Sequence, residues 1–301
     1  MRFYRALQEK SQYFIKRNLK VDNIRDLLDL LKEISNSEKQ DILFRGQPEA
    51  KYMLYSSLQR YWVERKLQKH YGSYRELIDN LIENSRKWNS GLILRYLKNS
   101  GWDETCMSVL SIMQHYGVPT PLLDFTYDVH KSLFFAISNI DLSPPVSEIE
   151  NYFSIYYIYK DNLVFGLGEE QISGTQESDL DIAMKSGILL IDNTNEAYRI
   201  QNNLNILNQE GAFIFNSSPL DPLEKHYFRH VSRMKRISGQ DLPQEIGGCI
   251  NINKKLSGDL REFLQKKGID RYSMFPDLNQ LSGDCLNMEW QKINRDGHLQ
   301  T

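Results

Sequence analysis

Arg45, Gly46 and Gln47 follow directly on the apolar run Ile42, Leu43, Phe44. A guanidinium delivered at the end of an apolar strand needs a partner. That partner is either an internal carboxylate or an anionic ligand held in its planar fork. Gly46 would let a ligand approach the backbone closely. On these residues alone, an internal ion pair is the commoner explanation. A second group lies in "QHYGVPTPLLDFTYDVHKSLFFA" (114–136). There Gln114 and His115 end a helix, a rigid proline loop crosses over, and Asp124 and Thr126 open an apolar helix. A helix N-terminus carries unpaired N–H groups and a partial positive charge, so an anion can dock beside it. Asp124 can cap that helix, pair with Arg45, or accept hydrogen bonds from a ribose hydroxyl or a base amide. The third group is Gln209 and Glu210, just before Gly211 and an apolar run. Neighbours on a strand point to opposite faces, so one of the two would enter a cleft.

Other chemistries find little support. The chain has no GxSxG, no P-loop and no GxGxxG. Its three cysteines, Cys106, Cys249 and Cys285, form no CxxC pair, which argues against zinc and fits a reducing compartment. His115, Asp124 and His130 could surround a metal in a nuclease, but their spacing fits no compact ligand motif, and no metal is expected. His226 and His230 read as strand residues about two pleats apart, too far for easy chelation. The stretch 226–236 mixes aromatic and cationic side chains as nucleic-acid surfaces do, and equally as a half-exposed strand does. A net charge of −2, from 37 basic and 39 acidic residues, gives no global field for nucleic acid or membrane.

The elements that must position these residues can be read from pattern. The chain has 301 residues with 41% hydrophobic and 11% aromatic content, enough for a substantial core. Helices are expected over 21–35, with Asp22 or Asn23 as cap, over 71–99 with a break near 89–91, and over 103–117. A further helix is expected over 127–140 with Thr126 as its N-cap. The segment 118–125 cannot be helical, because Pro119 and Pro121 remove donors. Strands are expected at 41–46, 152–159, 187–192, 211–216, 227–234 and around 248–252. Residues 161–186 read as irregular, and helices are expected at 258–268 and 274–293. The fold expected is α+β: a helix-rich N-terminal half on a mostly antiparallel sheet built largely from the C-terminal half. Residues 1–20 would be peripheral, 21–293 one domain, and 294–301 a frayed tail. No secretory h-region and no run near the ~20 apolar residues of a membrane helix is present, so a cytoplasmic protein is expected.

"LFRGQ" (43–47), "YMLYSSLQR" (52–60), "QHYGVPTPLLDFT" (114–126), "LFFA" (133–136), "NQEGAF" (208–213) and "FPDLNQLS" (275–282) together resemble the FRG-domain family, over about residues 41–290. Pro121 stands where the family loop carries arginine, and Phe125 where it carries tryptophan. More distantly, the order of motifs is similar to the ADP-ribosyltransferase layout. There a strand-end arginine grips NAD, a Ser-Thr-Ser motif shapes the site, and a glutamate stabilises the ribose oxocarbenium. The resemblance implies that Arg45, Gly46, Gln47, His115, Asp124 and Thr126 hold NAD and that Gln209, Glu210 and Thr126 serve catalysis. A glutamine in the glutamate's place can orient a hydroxyl but lacks the full charge. It also implies a nucleotide-handling enzyme or effector, in bacterial defence or as a toxin, with a macromolecular acceptor. The alternative is a non-catalytic module that binds a nucleotide or a protein.

Overall fold

The computed structural model describes residues 1–15, 17–35, 42–163, 178–192, 206, 208–239 and 243–275. The helix expected at 274–293 and the tail at 294–301 lie almost wholly outside them. Seven strands form one open sheet: β1 (Asn18–Val21), β2 (Ile42–Gln47), β3 (Leu122–Thr126), β4 (Tyr152–Tyr159), β5 (Ile188–Ile191), β6 (Gly211–Asn216) and β7 (Gly247–Asn253). Their spatial order is β1-β7-β4-β2-β3-β6-β5. Only β1 and β7 run parallel. The architecture is α+β, with four of the seven strands drawn from residue 152 onward.

Helices α1 (Ile24–Ser35), α2 (Ser57–Glu64), α3 (Tyr74–Lys87), α4 (Leu92–Asn99), α5 (Cys106–His115), α6 (Val129–Ser138), α7 (Asp179–Ser186), α8 (Leu223–Ser238) and α9 (Ser257–Lys266) cover the sheet. Phe44, Phe153, Ile155 and Ile250 pack with α1, α6 and α9 through Leu27, Leu133 and Leu260. Leu122, Phe213 and Phe215 pack with α3 and α5 through Ile78 and Leu110. Leu43, Leu123 and Tyr156 meet Phe14, Tyr227 and Val231. Each such fully buried aliphatic or aromatic side chain is worth roughly 1.5–3 kcal/mol.

Several expectations are corrected. Residues 227–234, expected as a strand, lie inside α8. Leu223, Tyr227 and Val231 recur every fourth position, which is the helical period, and aromatic content alone misleads there. Residues 118–125 are non-helical as expected, and a strand not expected there, β3, occupies Leu122–Thr126, where the prolines have stopped at Pro121 and the alternation begins. Residues 179–186, read as irregular, are α7, started by a Ser178–Asp181 capping box. The cap of α6 is Asp128, not Thr126. Residues 1–20 are not peripheral: Tyr4, Leu7, Lys10 and Phe14 are buried, and β1 pairs along β7. The break expected near 89–91 is present, where Asn89, Ser90 and Gly91 all take left-handed φ, and Asn23 caps α1 by accepting from the Arg25 and Asp26 amides.

The sheet is poorly joined at one place. β2 pairs with β4 at six positions and β3 pairs with β6 at five. Between β2 and β3 a single pair, Phe44 with Thr126, is made. Beyond Phe44 the two strands part.

Candidate functional site

The parting of β2 from β3 opens a cleft of about 430 Å³, lined by Arg45, Gly46, Gln114, His115, Asp124, Thr126 and Gln209 together with aromatic rings including Phe44, Phe135 and Phe275. It is therefore fold-made: residues far apart in sequence meet because one strand pair stops early. A larger apolar groove of about 720 Å³ lies between α3, α4 and α5, lined by residues such as Trp88, Tyr96 and Met113. Among its lining side chains only Asn84, Ser85 and the tyrosine and indole groups are polar, and none is an acid or a histidine. The smaller cleft is where chemistry can occur.

Arg45 spans the gap. One terminal nitrogen donates to the Asp124 main-chain oxygen at 2.5 Å, while the Asp124 carboxylate is 3.5 Å away. The ion pair is thus stretched, and the shorter bond is to the peptide carbonyl. Arg45 Nε is buried and has no partner among the described residues. Burial pulls its pKa below the ordinary arginine value, Asp124 opposes that, and Arg60 adds repulsion. An arginine with a free buried donor, beside a second cation, is arranged to receive an anion.

Asp124 is turned to the cleft mouth with its side chain 58% exposed. Gln114 Nε2 donates to both of its carboxylate oxygens at 3.0–3.1 Å, and Gln114 Oε1 accepts from Thr120. This glutamine fixes the carboxylate without neutralising it. His115, the last residue of α5, has its Nε2 buried and unpartnered among the described residues. Burial lowers its pKa, with Asp124 pulling the other way, and its ring meets Phe213 edge-on. Two orphaned nitrogens, from β2 and α5, therefore belong to one cleft.

Other expected residues have different work. Gly46 does line the cleft, but its missing side chain serves α6: a Cβ would come 2.0 Å from the Ser132 oxygen and 2.7 Å from the Ala136 nitrogen. Gln47 is buried and lies outside the lining. The Thr126 hydroxyl is committed, donating to the Gln209 carbonyl at 2.6 Å and accepting from the Asp128 amide at 3.0 Å. It ties β3 to the loop that carries Gln209. Gln209 enters the cleft, with Nε2 held by the Met274 carbonyl at 2.9 Å. Glu210 does not: it sits at φ 48° and its carboxylate pairs with Lys131 at 2.9 Å. His226 and His230, one helical turn apart rather than two pleats, are not near this cleft's lining, and His226 Nδ1 lies 2.8 Å from Asn216 Oδ1. Among the described residues no cluster of three His, Cys, Asp or Glu side chains could hold a metal.

Sequence reasoning missed the aromatic wall. Phe275 packs on Phe134 and Phe135 at 6.0–6.3 Å between ring centres and closes one side of the cleft. The adjacent Phe134-Phe135 pair on an otherwise ordinary helix was the available signal.

Residues 40–143 match the family model described as the FRG domain, about a third of the chain. The match spans β2 to α6 and includes Arg45, Gly46, Gln114, His115, Asp124 and Thr126; Gln209 and Glu210 lie beyond it. No curated protein and no solved structure matches the chain. Among the described residues no helix is long and apolar enough to cross a membrane.

Proposed function

We propose that this FRG-domain chain binds a nucleotide in the cleft between β2 and β3, with NAD the first ligand to test. The observation that carries the reading is the pair of unpartnered buried nitrogens, Arg45 Nε and His115 Nε2, in one cleft of small-molecule size. The unused edge of the Arg45 guanidinium would meet phosphate oxygens in a fork. The exposed Asp124 carboxylate, held by Gln114, would accept from ribose hydroxyls. Phe135 and Phe275 would give a planar base an apolar face on which to stack.

Binding is favoured over glycosyl transfer by one feature. The carboxylate that the ADP-ribosyltransferase layout would require, Glu210, is engaged by Lys131, and Gln209 stands in the cleft instead. A glutamine supplies no formal charge to a ribose oxocarbenium.

The test is titration of purified protein with NAD, ADP-ribose and AMP, followed by calorimetry and thermal shift, with nicotinamide release monitored in parallel. Binding of a diphosphate-containing nucleotide is expected, weakened about 10- to 100-fold by Arg45→Lys, since that change loses a charged hydrogen bond worth roughly 1.5–3 kcal/mol. Absence of binding by all three at millimolar concentration overturns the proposal. Nicotinamide release abolished by Asp124→Asn would instead make it an enzyme.

A further inference from the structure

Helix α8 reads "LEKHYFRHVSRMKRIS", and between residues 225 and 238 it holds Lys225, Arg229, Arg233, Lys235 and Arg236 with no Asp or Glu. At 100° per residue, Lys225, Arg229, Ser232, Arg233 and Arg236 fall on one stripe about 100° wide. The opposite side is spent on the core: Leu223, Tyr227 and Val231 are buried against the sheet, with Phe228 and Met234 packed beside them. Asp221 pairs with Lys225 and Arg229 at the start of the helix. Farther along, Arg233 and Arg236 are exposed and make no ion pair among the described residues. A chain of net charge −2 thus concentrates positive charge along one helix face.

We infer that this face of α8 docks on the phosphate backbone of a double-stranded nucleic acid. Charge complementarity selects a polyanion: the stripe runs from Lys225 to Arg236, roughly 16 Å of helix, against a backbone with a charge about every 3.4 Å per strand. Arginine guanidiniums and the Ser232 hydroxyl are the donors that phosphate contacts use. A bilayer is disfavoured, because an interfacial helix inserts an apolar face and that of α8 is already buried; only Ile237, 68% exposed, stands free at its end. A single strand is disfavoured because Tyr227 and Phe228, which would stack on bases, are turned inward. The contacts are to phosphate, so recognition is independent of sequence.

The experiment is fluorescence anisotropy with labelled mixed-sequence DNA and RNA duplexes from about 50 to 200 mM salt. It compares wild type with R233E/R236E and with K255E/K266E, which makes the same charge change at exposed lysines elsewhere. With two to four phosphates neutralised, log affinity should fall against log salt with a slope of about −2 to −4. R233E/R236E should weaken binding more than about tenfold, while K255E/K266E stays within about threefold of wild type; circular dichroism checks that both remain folded. The inference is overturned by no duplex binding at the lowest salt, by equal loss in both variants, by tighter binding to single strands, or by preferential binding to phosphatidylserine vesicles. None of these outcomes bears on nucleotide binding in the cleft.

Discussion

Lys10 and Arg45 are both cations carried into the interior, and their surroundings differ in kind. Lys10 is fully buried, and its ammonium has three partners for three protons: Ser154 Oγ at 2.8 Å, Asn251 Oδ1 at 2.7 Å and Cys249 Sγ at 3.4 Å. The rings of Tyr4 and Tyr156 lie within 5.5 Å of it. Burial lowers its pKa, and Cys249 opposes that. Every donor is used, so the residue fastens the N-terminal segment to β4 and β7 and has nothing left for a ligand. Arg45 has five N–H groups and uses one nitrogen on the far side of a gap, with Nε buried and idle. A satisfied buried cation is architecture. An unsatisfied one at a cleft is a receptor.

That contrast can be broken first at Lys10. Lys10→Ala empties a packed site and strands Ser154 and Asn251, and should destabilise the fold by about 3–5 kcal/mol in denaturant unfolding. Gly46→Ala forces a Cβ into the backbone of α6 and should cost about 3 kcal/mol, lowering the unfolding midpoint without any ligand present. Arg45→Lys, by comparison, should leave unfolding free energy within about 1 kcal/mol of wild type while nucleotide affinity falls about 10- to 100-fold. A stability loss as large as that of Lys10→Ala would put Arg45 in the structural class. The smallest effect is expected from pH. His115, His226 and His230 all have pKa values lowered by burial. Each stays neutral in the fold while the unfolded chain protonates, so stability should be full above pH 6.5 and decline as pH falls through the folded values. His115→Asn, which removes one of the three groups, should flatten the decline.

The legible parts of this molecule were those with a local cause. The Phe44–Gly46 strand end, the Asn89–Gly91 break and the helix before the proline loop all follow from neighbours in sequence. What stayed hidden depends on remote partners. Nothing near Lys10 announces that Asn251 and Ser154 await it, so the first twenty residues read as peripheral. Thr126 looked like a cap because it precedes a helix by the right distance; Asp128, two residues on, takes that role, and Thr126 bonds Gln209 across the sheet. Gln209 and Glu210 could not be told apart until Lys131 was placed. Gly46 was read as clearance for a ligand, whereas its tight neighbour is a helix backbone.

The solitary Phe44–Thr126 pair makes the sheet two plates joined at a seam. Such a seam is mechanically soft, and whatever lies across it acts as a clamp. A molecule gripping Arg45 on one plate and Asp124 on the other would stiffen the joint from within, so occupancy should register in slower hydrogen exchange along the facing edges of β2 and β3.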